Sequence, residues 1–303
     1  MMESDVIEGY AKAGAVLSDL LLKHSRGISQ GTSILDVCER IEHEILEAGC
    51  KPAFPVNFSV NSVAAHYTAK PGDGLRVEGL ALVKLDVGVH YDGYIADAAV
   101  SVCVDGYGLE LKEACESALE KALSRVREGT RVREISSVID EEIRRLGAKP
   151  ISNLTGHMIG RYKLHAGVSI PNVKSWSPLY RLKTGDVLAI EPFATFPDAA
   201  GVVVEQPPAQ IFSLARRRKP RGRVEAAILS YASELKGLPF CRRWVKGRLG
   251  AMYAAELDRL ARIGVLRAYP PLLEASGAPV AQAEATVVVD GDGAHVVAAP
   301  FRW

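Results

Sequence analysis

The chain has 303 residues, 48% apolar and 24% charged, enough to bury one large core or two modest ones. A formal net charge of +1 argues against a globally basic nucleic-acid or membrane binder, and no apolar run reaches the roughly 20 residues that span a bilayer. The acidic start Met1-Met2-Glu3-Ser4-Asp5 shows no secretory signal, and five cysteines without CxxC spacing read as reduced thiols of a cytoplasmic protein.

The first elements are written twice. Residues 31–52 (GTSILDVCERIEHEILEAGCKP) and 129–150 (GTRVREISSVIDEEIRRLGAKP) align without a gap at an offset of 98 and share eight of 22 positions. In each, Gly-Thr precedes an amphipathic helix: Ile34, Val37, Ile41 and Ile45, then Val132, Ile135, Ile139 and Ile143. Gly49 and Gly147 stop these helices before Pro52 and Pro150. A further helix precedes each copy, over 5–24 and 109–127. Two helices followed by strands, repeated, predict a pseudo-twofold core with its site where the halves meet. His66 and His165, 99 residues apart, and Asp86 and Glu191, each closing an apolar strand, are the polar pairs such symmetry would converge.

Between the copies, Leu80–Val104 predicts a hairpin. Val83, Leu85, Val87 and Val89 alternate, and Tyr91-Asp92-Gly93-Tyr94 is a two-residue turn that pairs Asp86 with Ala99. Asp97 then shares a face with Asp86, their Cβ atoms roughly 7 Å apart on the diagonal. After the second copy, residues 207–271 break the pattern. They open with Pro207-Pro208, carry six basic residues in Arg216–Arg223, and show helical periods near 224–236 and 251–263. This segment reads as a helical subdomain inserted into a domain formed by 1–206 and 272–303. Strands return at 280–289 and 294–299 around the turn Asp290-Gly291-Asp292-Gly293.

Asp86, Asp97, His157, Glu191 and Glu284 are metal-type side chains in otherwise apolar strand segments. Taken singly, each has a plain structural reading: edge-hairpin aspartates, an exposed strand end, a solvent-facing mid-strand glutamate, a hydrogen-bonded histidine. Together, four carboxylates and one imidazole can hold two divalent cations about 3.5–4 Å apart, a hydrolytic device. The chain therefore reads as a metallohydrolase. The donor set does not choose among Co, Mn, Fe and Zn.

Those residues and their surroundings resemble a type II methionine aminopeptidase of the pita-bread fold. The shared segments include Lys51-Pro52-Ala53-Phe54-Pro55-Val56-Asn57, Ala65-His66-Tyr67-Thr68, Lys84-Leu85-Asp86-Val87-Gly88 and Asp92–Asp97. They continue through Gly156-His157, Leu164-His165-Ala166-Gly167, Ile170-Pro171-Asn172, Ala189-Ile190-Glu191-Pro192 and Tyr269-Pro270-Pro271. The insert before Glu284 resembles the type II feature, and the short N-terminal region resembles the archaeal form. The resemblance implies an α+β fold and removal of N-terminal methionine from nascent chains before a small second residue. It implies that Asp86 holds one metal, that Asp97 and Glu284 bridge both, and that His157 and Glu191 complete the ligand set of the other metal. A metal-bridged hydroxide would attack the first peptide carbonyl with Glu191 as general acid and base. His66 and His165 would orient the scissile amide, and Phe54 and Tyr269 would shape the methionine pocket.

Two alanines, Ala283 and Ala285, stand where the family has Phe and His beside the last glutamate. Strand alternation turns both away from Glu284 and into packing behind the sheet. The alternatives are an Xaa-Pro aminopeptidase or prolidase, which typically carries an added N-terminal domain, and an inactive relative that binds ribosomes or RNA through Arg216–Arg223. A monomer is the oligomeric state the resemblance implies.

Overall fold

The computed structural model describes residues 4–176, 179–291 and 293–299. The two sequence copies fold alike: helices α1 (Ser4–Ser25) and α2 (Ile34–Glu47) in the first half, α3 (Leu109–Leu123) and α4 (Val132–Arg145) in the second. Gly31 and Gly129 take φ of +85° and +82°, and their N–H groups donate to the carbonyls of Val77 and Leu182 at 2.8 Å each. Arg76 and Arg181 return a guanidinium bond to the Gly31 and Gly129 carbonyls, both 2.9 Å. The copied helices end where Gly49 and Gly147 turn left-handed, at +71° and +80°, the conformation glycine adopts without a Cβ penalty. The repeat also reaches further back than the aligned segment. Lys23 of α1 pairs with Glu44 of α2 at 2.8 Å, and Lys121 of α3 pairs with Glu142 of α4 at 2.5 Å. Both residues of the second pair stand 98 positions after those of the first.

Each helix pair buries one face on its own sheet. In α2 the core side is Ile34, Cys38, Ile41 and Ile45, with Val37 only half-buried; in α4 it is Val132, Ile135, Ile139 and Ile143. Each large aliphatic side chain taken out of water contributes about 1.5–3 kcal/mol. The first half's sheet is built on the hairpin Ala81–Tyr91 and Tyr94–Val104, paired from Ala81↔Val104 to Tyr91↔Tyr94 with Asp86 opposite Ala99. Asp92 and Gly93 occupy its turn with φ of +47° and +89°, as a two-residue hairpin loop requires. Strands Lys51–Pro52 and Asn57–Val60 also pair with Ala81–Tyr91. The second half's sheet runs in the order Ala294–Ala298, Ala285–Val289, Val187–Ile190, Thr155–Ile159, Ser169–Pro171.

The halves meet along Tyr94–Val104. Ala99 and Glu284 form an isolated bridge, Ser101 Oγ donates to the Gln282 carbonyl at 2.7 Å, and Thr286 Oγ1 bonds both backbone groups of Asp97.

Four expectations change. Glu284 is not mid-strand: the 280–289 segment splits into Val280–Gln282 and Ala285–Val289, and Glu284 sits in the break. Asp86 does not close a strand but is sixth of eleven residues in Ala81–Tyr91. The first helix of the second copy ends at Leu123 rather than 127. Residues 207–271 are not purely helical: α5 (Arg223–Glu234), α6 (Arg242–Leu249) and α7 (Ala251–Arg262) pack on a sheet of Phe240–Cys241, Ile211–Leu214 and Leu266–Tyr269. This segment has its own apolar cluster, centred on Phe212, Ile228, Phe240, Val245, Leu257 and Leu260. Asp292, expected in the last turn, lies outside the described residues.

Candidate metal centre

The strands deliver the five ligand-type residues to one cavity of about 80 Å³. Asp86 and Asp97 come from the two strands of the first-half hairpin, and His157 from the centre of Thr155–Ile159. Glu191 follows Val187–Ile190, and Glu284 arrives through its bridge to Ala99. His66, His165, Phe54 and Tyr269 line the same cavity, so every site residue expected from the sequence is gathered there. Phe54 packs closely on the hairpin because residue 88 is glycine: a Cβ there would come within 2.2 Å of its ring.

Ligand atoms of Asp97, His157 and Glu284 lie within 4.8 Å of one another. His157 Nε2 stands 3.6 Å from Asp97 Oδ2 and 3.7 Å from Glu191 Oε1. These are too long for hydrogen bonds, yet donors about 2.1 Å from a shared tetrahedral ion stand roughly 3.4 Å apart. Asp86 is not part of that tight group but faces the same cavity. Asp86 Oδ1 and Asp97 Oδ1 are buried without a hydrogen-bond partner among the described residues. Buried carboxylate oxygens left bare are costly, and cations satisfy them. The residues present therefore fit divalent metal.

Electrostatics says the same. Burial pushes the Asp86 carboxyl up to about 7. Burial first, and then repulsion from its neighbours, holds Asp97, Glu191 and Glu284 well above the carboxylate range. Such a nest ionises fully only if positive charge enters it. His157 moves the other way, down to about 3, through burial and then the adjacent His165, so its imidazole is neutral and free to ligate. Half-buried His66 falls to about 4 for the same two reasons. The His157 and His165 rings meet edge to face at 4.5 Å, and His66 meets Tyr269 the same way at 5.8 Å.

Three supporting residues were not singled out from the sequence. Thr286 Oγ1 accepts from the Asp97 N–H and donates to the Asp97 carbonyl, both at 2.7 Å. Gln282 Nε2 donates to Glu284 Oε2 at 3.1 Å. Asn57, which lines the cavity, is paired in register with Asp86. A polar alternation of Gln282, Glu284 and Thr286 inside an apolar strand was the available signal for the first two. Ala283 and Ala285 lie in the second-half core and not on the cavity wall, although the strand whose alternation predicted this is broken at Glu284.

Residues 8–207 match metallopeptidase family M24. Along its sequence the chain is similar to the methionine aminopeptidase of Thermococcus kodakarensis, 44% identical over 295 residues that cover 96% of this chain and 99% of that one. Among solved structures it is similar to a thermophilic Arx1, with a TM-score of 0.86 at 17% identity over 100% of this chain and 93% of that one. It is also similar to the methionine aminopeptidase of Thermotoga maritima, with a TM-score of 0.71 at 23% identity over 98% and 97% of the two chains. Family match, full-length relatives and the gathered carboxylates agree: the chain belongs to metallopeptidase family M24.

Proposed function

We propose that this chain removes the N-terminal methionine of newly made proteins and peptides, acting in the cytoplasm on chains whose second residue is small. The observation that carries the reading is the shared cavity: four carboxylates and one neutral imidazole beside an apolar end lined by Phe54, Ile211 and Tyr269. The full-length likeness to methionine aminopeptidases supports the same reading. We take residues 1–206 and 272–303 as the catalytic domain and 207–271 as an insert that completes the apolar end.

Asp86, Asp97, His157, Glu191 and Glu284 would hold two divalent ions, of Co, Mn, Fe or Zn. Such ions, when bound, supply Lewis acidity, neutralise the carboxylates and acidify water near neutral pH. The other work falls to side chains. Glu191, ionised when cations are held beside it, would take a proton from the attacking water and return one to the leaving amine. His66, neutral at pH 7, offers a ring N–H to the oxyanion, and His165 faces the same carbonyl from the other half. Phe54 and Tyr269 enclose the methionine side chain. Five free cysteines suit a reducing compartment. Exposed Arg216, Arg217, Lys219, Arg221 and Arg223 suit a surface contact with ribosomal RNA while chains emerge.

The test is methionine release from Met-Ala-Ser as single metals are restored to chelated protein. Met-Lys-Ser and an Ala-Pro peptide serve as comparisons. Rapid turnover of Met-Ala-Ser alone is expected; equal cleavage of Met-Lys-Ser would remove the small-residue rule, and preference for Ala-Pro would replace the substrate. Glu191→Gln keeps shape and loses the base, so kcat should fall by about 10²–10⁴. Near-wild-type turnover with metal bound would refute Glu191's role.

A further inference from the structure

A buried carboxylate of the duplicated core is the centre of a hydrogen-bond network to the insert. Glu42 of α2 is 6% exposed and accepts four hydrogen bonds. Arg243 forks onto it, Nη1 to Oε2 at 2.6 Å and Nη2 to Oε1 at 2.9 Å. Trp244 Nε1 donates to Oε2 at 2.8 Å, and the Val56 N–H to Oε1 at 3.2 Å. Arg243 then reaches on, donating through Nε to the Ala69 carbonyl at 3.3 Å and through Nη2 to Thr68 Oγ1 at 3.4 Å.

Each arm of this network ends close to the cavity wall. Val56 is two residues from Phe54, Thr68 two residues from His66, and Arg243 four residues from Pro239. Phe54 and His66 belong to the core; Ile211, Pro239 and Tyr269 belong to the insert; all five line the cavity. Leu238, next to Pro239, packs in one cluster with Phe54. The apolar end of the cavity is thus made by two bodies, and its width depends on how they are set against each other. Apolar packing between them is tolerant of small slips. A bidentate guanidinium–carboxylate pair is directional and, once desolvated, admits one arrangement. Buried ion pairs often add little net stability over apolar replacements, so a pair with four donors is better explained by register than by strength.

We propose that Glu42 and Arg243 are positioning residues that set the insert against the core and thereby fix the shape of the methionine pocket. This rests on the reading of Phe54 and Tyr269 as walls of that pocket. The two residues touch no reacting atom; they act through Phe54, His66 and Pro239.

The test compares the full-length, metal-loaded wild type with Arg243→Lys and with the paired apolar variant Glu42→Leu/Arg243→Met. Arg243→Lys keeps the charge and loses the fork. The paired variant leaves neither charge stranded, which protects folding. KM and kcat are measured for Met-Ala-Ser, together with the preference for Met-Ala-Ser over Leu-Ala-Ser. The proposal expects KM to rise about tenfold with kcat nearly unchanged, and the methionine preference to fall, in both variants. Glu42→Asp, which retains a carboxylate, should recover part of the preference. Unchanged KM and preference, with only the melting temperature lowered, would overturn the proposal. So would loss of bound metal as the main effect, because the pair would then act on the ligands. Wild-type turnover of Met-Ala-Ser tests the parent reading separately from the KM shift.

Discussion

Thr286 fixes Asp97 by a single hydroxyl that bonds both the N–H and the C=O of its backbone, and Thr286 itself is fully buried. Thr286→Val keeps the volume and removes both bonds. Two buried backbone groups then lose their partners, at about 1–3 kcal/mol each. Metal affinity should fall by about 10–100-fold as Asp97 loosens, a scale typical of lost outer support. Thermal unfolding and metal titration check the two effects; wild-type metal affinity in that variant would show Thr286 to be a packing residue only. Ala285 poses the opposite case, being 0% exposed in the second-half core and turned away from the ligands. Ala285→His would put a polar ring among Leu188, Ile190 and Val287, costing about 1–3 kcal/mol by overpacking. Unfolding should shift while kcat/KM stays within a few-fold. A selective gain in turnover at unchanged stability would instead place residue 285 in the site.

At the scale of elements, the duplicated helix pairs are pinned by equivalent charges, and the second copy is pinned harder. Glu142 accepts from Arg145 at 2.8 and 2.7 Å, from Lys121 at 2.5 Å and from Ser117 at 2.6 Å, with its own side chain almost wholly buried. The bonds to Arg145 foremost, then those to Lys121 and Ser117, outweigh burial and hold its carboxyl well below the usual range. A depressed folded-state pKa gives stability that is complete above the unfolded value of about 4.3 and is lost as pH falls through the folded value. Glu142→Gln should therefore cost about 1–3 kcal/mol at pH 7, and its deficit against wild type should shrink as pH drops below about 4. A deficit that is the same at pH 7 and pH 3 would mean packing, not charge, is responsible. The duplication itself was legible because Gly31/Gly129 and Gly49/Gly147 must take positive φ, leaving few substitutes at those places. The hairpin register was legible because Asp92-Gly93 admits one turn geometry. The insert's sheet was not: its strands are two to four residues long, too short for alternation to show. Helix α6, RRWVKGRL, carries four basic residues and a glycine in eight positions and hides its apolar face. The Glu42–Arg243 pair could not be read at all, since 201 residues separate its members and each has ordinary neighbours.

For the whole molecule, the cavity is where the halves share their least stable groups. Asp86 and Asp97 come from the first half, and His157, Glu191 and Glu284 from the second, so cations held by these residues would tie the halves together. In chelated protein the four carboxyls keep protons that the unfolded chain would give up. Asp86 is raised to about 7 and the other three lie well above their ordinary values, burial being the first cause in each. His66 and His157, lowered to about 4 and about 3, oppose this between about pH 4 and 6.5, where the unfolded chain protonates them and the folded one does not. Above about pH 6.5 the unfolded histidines are neutral as well, and the raised carboxyls of the cavity still distinguish the two states. At these carboxyls the folded state keeps protons that the unfolded one has released, and their contribution to stability falls as pH rises. Divalent cations replace those protons, so the gain in melting temperature on adding metal should grow steadily from pH 6.5 to 8.5, with proton release on binding. Paired thermal scans with and without chelator, and calorimetry in buffers of different ionisation enthalpy, measure both. A metal-induced gain that stays flat across that range, with no proton release, would mean that these carboxyls are already ionised and that the cations bind elsewhere.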